Sequence, residues 1–553
     1  MRTSSTLIFT TCYNERENIG LLIDGIVAAV PDADILVVDD SSPDGTWDII
    51  QLKAVEYQQL RSVQRPGKLG IGSAHKYALY YAMREGYTTV VTMDADFSHA
   101  PASLPSLLKA HAPNTFVTGS RYCEGGRSDY SGYRDVVSRL GNIVARNALG
   151  VRLKELTTYF RVFDVESLRR LPLREISASG YSYGVELIYH LRKAGVELRE
   201  VPIHFVDRTR GASKIPRLQV FMSAFDLLRL AAKRFSFGRD LKPDEFVDDA
   251  CVSCGDKVLA MKHFGSARSF KIADADESQF RCTSVGAADY PPVFTCLACG
   301  LEQVPASLVP SQLSDIYEDV VDHTYLQNIK ARERTYTRAM HAVEYWTGLS
   351  RGSLLEVGAY CGLFQLAAMG KGWDPQGVEP SVWASEYARD VSKVDVKQGF
   401  LAERKAELRP EYDAVVSWDV IEHVPRPVEF IKECGEFLRP GSCLFLSTMD
   451  VGARFPRLLG TRWPWLINMH IVYFSEKSMK SVLENAGFDL VGTQDYVHYA
   501  RVRHILNGGQ RVVPAFLRPM VRGVASMVPD AWTVPFSFGD IKLFVARKSY
   551  KPQ

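Results

Sequence analysis

Hydrophobic and polar positions follow a repeating order along the first hundred residues. An apolar run, STLIFTTCY at 5–13, leads into ENIGLLIDGIVAAV, whose apolar residues recur at helical spacing, and then into DILVVDDSSPDGT, which ends in paired aspartates. This predicts strand, helix, strand and acidic turn, the alternation that builds a parallel sheet with its ligand site at the carboxyl ends of the strands. A third run, TTVVTMDADFSH, ends in Asp94 and Asp96. Extended backbone returns these two carboxylates to one face. Like charges so placed repel unless a cation lies between them, and Mg2+ or Mn2+ carrying a diphosphate is the usual solution.

The second half starts a new alternation. In SLLEVGAYCGLFQLAAMGKGWDPQGVEPS a short strand enters a glycine-containing turn, a helix follows, and a second strand ends in Glu379, 23 residues after Glu356. Such a turn admits close backbone approach to a nucleoside, and the later carboxylate can accept both ribose hydroxyls. The dinucleotide pattern G-x-G-x-x-G is absent. The runs VDVKQGF, YDAVVSWDVIEHV, GSCLFLSTM, FDLVGTQDYVHY and DIKLFVARK predict further strands. His423 and His470 are candidate bases for an acceptor, because imidazole titrates near working pH; a structural turn role competes for His423.

Length changes the picture: 553 residues exceed one hydrophobic core and predict several domains. A hydrophobic fraction of 46%, a charged fraction of 24% and a net charge of +2 describe a soluble globular chain with no general affinity for nucleic acid. The N-terminal apolar run is too short for a signal peptide, and no run reaches the ~18 apolar residues of a membrane span. A cytoplasmic protein is expected, with its ten cysteines reduced. CVSCG at 251–255 and CLACG at 296–300 then read as two metal knuckles. Cys251, Cys254, Cys296 and Cys299 would close a tetrahedral structural Zn2+ site, with Cys282 a separate thiol. Residues 216–237, PRLQVFMSAFDLLRLAAKRFSF, have apolar residues at helical spacing with basic residues interleaved, which predicts an amphipathic helix suited to peripheral contact with a membrane or to packing on a neighbouring domain. Oligomeric state is not readable from the chain.

The ordered series CYNERENI, VVDDSSPDGT, KLGIGSAHKYAL, DADFSH, TGSRY, SRLGNIVARNALG, LTTYFRVF and GYSYGVELIYHLRKAGVELREVPIHFVDRTRGASK spans about residues 5–237. It resembles the dolichol-phosphate mannosyltransferase branch of the family 2 glycosyltransferases, polyprenol monophosphomannose synthases included. The resemblance implies a GT-A (nucleotide-diphospho-sugar transferase) fold. It implies that Thr11, Tyr13, Glu15, Val38 and Asp40 hold the nucleotide, that Asp94, Ala95 and Asp96 hold the metal and diphosphate, and that Arg121, Arg208 and Lys214 meet the donor phosphates and sugar. Thr11 stands where the family usually has proline, Ser98 where some members have glutamine, and KELTTYFR where an aspartate and a glycine-containing run are common. A polyprenyl phosphate acceptor supplies its own oxyanion and needs no general base. Were the acceptor a glycan hydroxyl, Glu186 would be the candidate base; otherwise it holds an arginine.

The run EVGAYCG, VEPS, SWDVIEHVPRPVEFI, LRPGSCLFLS, HIVYFS and LENAGFDLV resembles class I S-adenosylmethionine-dependent methyltransferases, in the branch preceded by a four-cysteine region. By that resemblance Glu356, Gly358 and Gly362 line the methionine part of S-adenosylmethionine, Glu379 the ribose, and Trp418 and Asp419 the far wall. Ala359 and Tyr360 replace the small Cys-Gly of many relatives. The expected organisation is α/β throughout: a GT-A domain with a C-terminal amphipathic helix over 1–240, a linker and zinc-ribbon-like insert over 241–335, and a Rossmann-like class I methyltransferase domain over 336–553. The expected function is bifunctional: hexose transfer from a nucleotide sugar to polyprenyl phosphate or a lipid-linked glycan, and methylation of a sugar or glycan. A non-catalytic binding module is the alternative for the second half.

Overall fold

The computed structural model describes residues 4–129, 133–176, 181–206, 244, 246–263, 265, 290–310, 313–509, 513, 515–529 and 532–550. Two compact units divide the chain, residues 1–247 with 258–261 and residues 248–257 with 262–553. Among the described residues no helix is long and apolar enough to cross a membrane.

A seven-stranded sheet forms the first unit, ordered Leu60–Gln64, Asp34–Asp39, Thr6–Cys12, Thr89–Asp94, Arg161–Asp164, Thr115–Ser120, Glu197–Pro202. The first four are parallel. All six positions of Asp34–Asp39 are buried, as expected of a strand covered on both faces. The helix Arg16–Ala29 turns Ile19, Leu22, Ile23 and Ile26 toward the sheet, where they join Ile8, Ile35, Val37 and Val91 in one apolar cluster. The expected parallel sheet is interrupted. Arg161–Asp164 runs antiparallel to both Thr89–Asp94 and Thr115–Ser120. This strand has four residues, RVFD, too few to register as a periodic apolar run.

The second unit carries another seven-stranded sheet, ordered Val396–Gln398, Asp374–Glu379, Ser353–Val357, Tyr412–Trp418, Leu438–Met449, Ile541–Lys548, Phe488–Asp495. The first five are parallel, and Ile541–Lys548 is inserted antiparallel to both of its neighbours. The helix Ile329–Thr347 buries Ala339, Met340 and Val343 against Leu354, Phe364, Val416 and Trp418. A small antiparallel ladder, Val293–Cys296 with Glu302–Gln303 and Glu302–Gln303 with Val472–Tyr473, attaches the second cysteine knuckle to the segment that carries His470.

Candidate active sites

Sheet register brings the first group of predicted residues together. Thr11 stands opposite Val38 on one side and Asp94 on the other, so the ends of three adjacent parallel strands converge. Just past each of these ends a non-glycine residue takes a left-handed backbone: Asn14 at φ 57°, Ser41 at 54° and Phe97 at 59°. Such conformations cost of order 1 kcal/mol or more each and persist where surrounding bonds hold them. Here the bonds are visible. Ser42 Oγ donates to buried Asp39, and Ser98 donates through both its amide (3.1 Å) and its hydroxyl (2.6 Å) to Asp96 Oδ1. The Glu15 amide donates to Thr46 Oγ1 at 3.0 Å, its carboxylate accepts from Asn18 at 2.8 Å, and Lys68 lies over the Tyr13 ring at 4.7 Å. Val38 and Ala95 are buried beside these turns.

Two of the charged residues have partners that motif reading missed. Asp40 pairs with fully buried Arg65, whose Nε lies 2.6 Å from Asp40 Oδ1. Burial pushes the Asp40 carboxyl up, and the guanidinium opposes that shift. Arg121 is gripped by Glu155, Nε to Oε2 at 2.7 Å and Nη2 to Oε1 at 3.0 Å, with Thr157 Oγ1 a third acceptor at 3.0 Å. Burial raises Glu155, but the bonds and charge of Arg121 outweigh it and hold the carboxyl below its ordinary value.

His99 was also missed. The Asp94 amide donates to its Nδ1 at 3.1 Å, so the proton sits on Nε2, which faces Thr158 Oγ1 at 2.8 Å. Burial holds this ring down to about 4, and as a neutral imidazole it props the turn between Asp94 and Asp96. Glu186 is 2% exposed, inside the helix Tyr181–Lys193. Arg208, Lys214, Cys282 and the amphipathic segment 216–237 lie outside the described residues.

In the second unit the strand Ser353–Val357 ends in a tight turn. Gly358 (φ 82°) and Gly362 (φ 74°) cannot carry a side chain there: a Cβ would meet Val420 Cγ2 at 2.5 Å and Val394 Cγ2 at 2.4 Å. Tyr360 also adopts positive φ, 46°. Its amide donates to Glu379 Oε2 at 2.8 Å, and its ring rests against Tyr325 and Trp383. Glu379 Oε1 accepts from the Ser381 amide at 2.9 Å, so backbone donors aim both carboxylate oxygens. Burial pushes Glu379 up to about 7, and burial together with the charge of Glu379 pushes Glu356 well above the carboxylate range.

Asp419 (φ 53°) follows the strand Tyr412–Trp418 and accepts from Ser447 Oγ at 2.6 Å. Trp418 stacks on Tyr496 with centroids 5.5 Å apart. Among the described residues the buried polar atoms here that lack a hydrogen-bond partner include Glu356 Oε2, both amide atoms of Gln365, Trp418 Nε1 and Tyr496 Oη. Buried orphans of this kind are rare, and together they fit a polar ligand such as S-adenosylmethionine.

The four cysteines meet. Cys251 Sγ lies 3.6 Å from Cys299 Sγ, Cys254 Sγ 3.6 Å from Cys296 Sγ, and all four ligand atoms fall within 4.8 Å of one another. A tetrahedron of metal–sulfur bonds near 2.3 Å has edges of about 3.8 Å, so the thiols suit one tetrahedral ion. Gly255 (φ 72°) and Gly300 (φ 80°) each donate back to the carbonyl of the first cysteine of their knuckle, at 2.9 and 2.8 Å. Contact with the other thiols pulls Cys251 down and pushes Cys296 and Cys299 up, as expected of thiols that cannot all ionise without a cation.

The two predicted histidines also meet, with rings 4.9 Å apart, and Glu422 joins them. Burial lowers both imidazoles below their ordinary value.

Residues 7–172 match the family Glycosyl transferase family 2, and residues 330–493 match Methyltransferase domain. The undecaprenyl-phosphate mannosyltransferase of Micrococcus luteus is 37% identical over 204 residues, covering 37% of this chain and 84% of that protein. The polyprenol monophosphomannose synthase of Mycolicibacterium smegmatis is 36% identical over 216 residues, covering 38% of this chain and 82% of that protein. Among solved structures, the glucosyl-3-phosphoglycerate synthase of Mycobacterium tuberculosis covers 42% of this chain and 81% of its own at 18% identity and a TM-score of 0.32, and adds nothing to the fold read from strand order.

Proposed function

Residues 7–172 make this chain a member of glycosyl transferase family 2, joined to a methyltransferase domain over 330–493, and from that premise we propose its substrates. The chain is a bifunctional glycosyltransferase and methyltransferase. The first half transfers a hexose, mannose from a guanosine diphosphate donor, to polyprenyl phosphate. The second half methylates a sugar or glycan with S-adenosylmethionine. The observation that carries the acceptor is 37% identity to an undecaprenyl-phosphate mannosyltransferase over 84% of that protein. A phosphate monoester brings a nucleophilic oxyanion, so no general base is required, and Glu186 is then a positioning residue.

In this reading Thr11, Tyr13, Glu15, Val38 and Asp40 bind the nucleotide. Asp94, Ala95 and Asp96 would hold Mg2+ or Mn2+ and the diphosphate, with Ser98 and His99 fixing the turn. The ion, when bound, supplies positive charge against the charge that develops on the leaving nucleoside diphosphate. Arg121, Arg208 and Lys214 meet the donor phosphates and sugar, and Glu155 orients Arg121. Glu356, Gly358 and Gly362 bind the methionine end of S-adenosylmethionine, Glu379 the ribose, and Trp418 and Asp419 close the far wall. The four cysteines hold structural Zn2+. A lipid-linked acceptor implies peripheral contact at the cytoplasmic face of a membrane, with segment 216–237 as its footing.

The test is incubation of the full chain with a panel of nucleotide sugars and polyprenyl phosphate, read by mass spectrometry with and without S-adenosylmethionine. A hexosyl-phosphate lipid formed from guanosine diphosphate mannose is expected. Transfer confined to a glycan hydroxyl, and abolished by Glu186→Gln with donor binding intact, would overturn the acceptor.

A further inference from the structure

Glu422, His423 and His470 form a compact donor set distinct from the donor-sugar site and the four-cysteine cluster. A carboxylate oxygen of Glu422 and one ring nitrogen of each histidine lie within 4.8 Å of one another. Two distant stretches of chain supply them. Ile421–His423 is a single 3-10 turn shortly after the strand Tyr412–Trp418, and His470 lies just before the strand Val472–Tyr473. The Ile471 amide donates to the Glu422 carbonyl at 3.0 Å and ties the two stretches together.

Hydrogen bonds decide which ring nitrogens serve the cluster. His423 Nδ1 lies 2.9 Å from the Met469 carbonyl oxygen, with the Tyr317 hydroxyl, which can accept as well as donate, at 3.1 Å, and His470 Nδ1 lies 2.9 Å from the Trp465 carbonyl oxygen. A carbonyl oxygen only accepts, so each Nδ1 carries the proton and each Nε2 keeps a lone pair. Metal-bound histidines are commonly oriented in this way, with the second nitrogen donating to a backbone carbonyl. Glu422 is 1% exposed, and its Oε2 accepts from Thr448 Oγ1 at 2.9 Å. No lysine or arginine pairs with it among the described residues. A carboxylate buried without a cation is costly, and a metal ion removes that cost.

We propose that Glu422, His423 and His470 bind one first-row divalent cation, Zn2+, Mn2+ or Co2+, with coordination positions left open for hydroxyl oxygens of the methyl-accepting sugar. Two imidazoles with one carboxylate suit such ions, whereas Mg2+ and Ca2+ favour all-oxygen sites. The acceptor part of the proposal rests on the methyltransferase reading; the metal part does not. The site stands at the end of the strand that carries Trp418, which places it beside the proposed cofactor wall. His470 thereby takes a ligand's role in place of the general-base role that its residue type suggests.

The test is titration of the metal-free full chain with Co2+, without nucleotide and with Asp96→Asn in place so that the donor-sugar site adds no equivalent. Cobalt in a tetrathiolate site shows intense sulfur-to-metal charge-transfer absorption, while a second equivalent on nitrogen and oxygen ligands adds only weaker ligand-field bands. Glu422→Gln and His470→Gln are each expected to weaken the second equivalent on the order of 100-fold or more and to leave the first unchanged. Because Glu422→Gln removes a buried charge and keeps its shape, the metal-free variant should melt no lower than its parent. Co2+ should raise the melting temperature of the Cys254→Ser chain, and Glu422→Gln in that chain should cancel the rise. A titration that ends at one equivalent with sulfur bands alone, or variants that titrate like the parent, overturns the site. Calorimetry with S-adenosylmethionine separates the two readings. Cofactor binding without a second cobalt removes the metal site alone; a second cobalt without cofactor binding leaves the metal site and removes the methyltransferase reading.

Discussion

Arg121 and Glu155 illustrate what single residues decide. Both are buried, and their two parallel hydrogen bonds turn a motif arginine into half of an ion pair. Glu155→Gln would leave a buried guanidinium without its counter-charge, so a loss of about 3–5 kcal/mol in stability by denaturant titration is expected, with Glu155→Asp losing less. Glu379 gives a pH dependence. Its folded value, about 7, lies above the ordinary 4.5, so ionising it disfavours the cofactor-free fold. The contribution is fully present below pH 4.5 and is lost as pH rises to about 7, at a total cost of roughly 3 kcal/mol. Ribose hydroxyls favour the ionised form. S-adenosylmethionine affinity, measured by calorimetry, should therefore fall as pH drops through about 7 and should lose that dependence in Glu379→Gln. A flat profile in the parent would count against Glu379 as the ribose acceptor.

At the scale of elements, the strands Thr6–Cys12, Asp34–Asp39 and Thr89–Asp94 and the helix Arg16–Ala29 were readable because burial on one or both faces writes a periodic apolar pattern into a short stretch. Arg161–Asp164 was not, since four residues pair antiparallel only because the neighbouring strands leave a slot for them. The cysteine knuckles were legible for another reason: two thiolates two residues apart, closed by glycine, are a local geometry. Their union into one cluster depends on residues more than 40 positions apart, Cys254 and Cys296 among them. With the thiols 3.6 Å apart and not disulfide-bonded, Cys254→Ser should release one equivalent of metal by elemental analysis. It should also lower the melting temperature of the second unit, since metal binding and folding are coupled there. Unchanged metal content would remove the zinc assignment.

For the whole molecule, two sheets with separate cores predict two separable activities. Asp96→Asn should lower sugar transfer by roughly a hundred- to a thousandfold, because about 1.4 kcal/mol is tenfold in rate and a metal's charge stabilisation is worth several kcal/mol, while S-adenosylmethionine binding survives. Glu379→Ala should cost about 1–3 kcal/mol of cofactor affinity and leave sugar transfer intact, giving a product without the methyl group. Loss of sugar transfer in a folded Glu379→Ala chain would mean that the halves act as one machine.

Sequence by itself determined the fold class, the paired chemistry and the positions where acidic turns, glycine turns and thiols fall, because periodicity and short spacing are local properties of a chain. Only the tertiary structure decided that Arg65 answers Asp40, that Glu155 grips Arg121, and that Glu422 and His423 meet His470 from 48 and 47 residues away. Those partners are selected by strand register and by the cost of burying a charge alone, and neither leaves a trace in the residues next door.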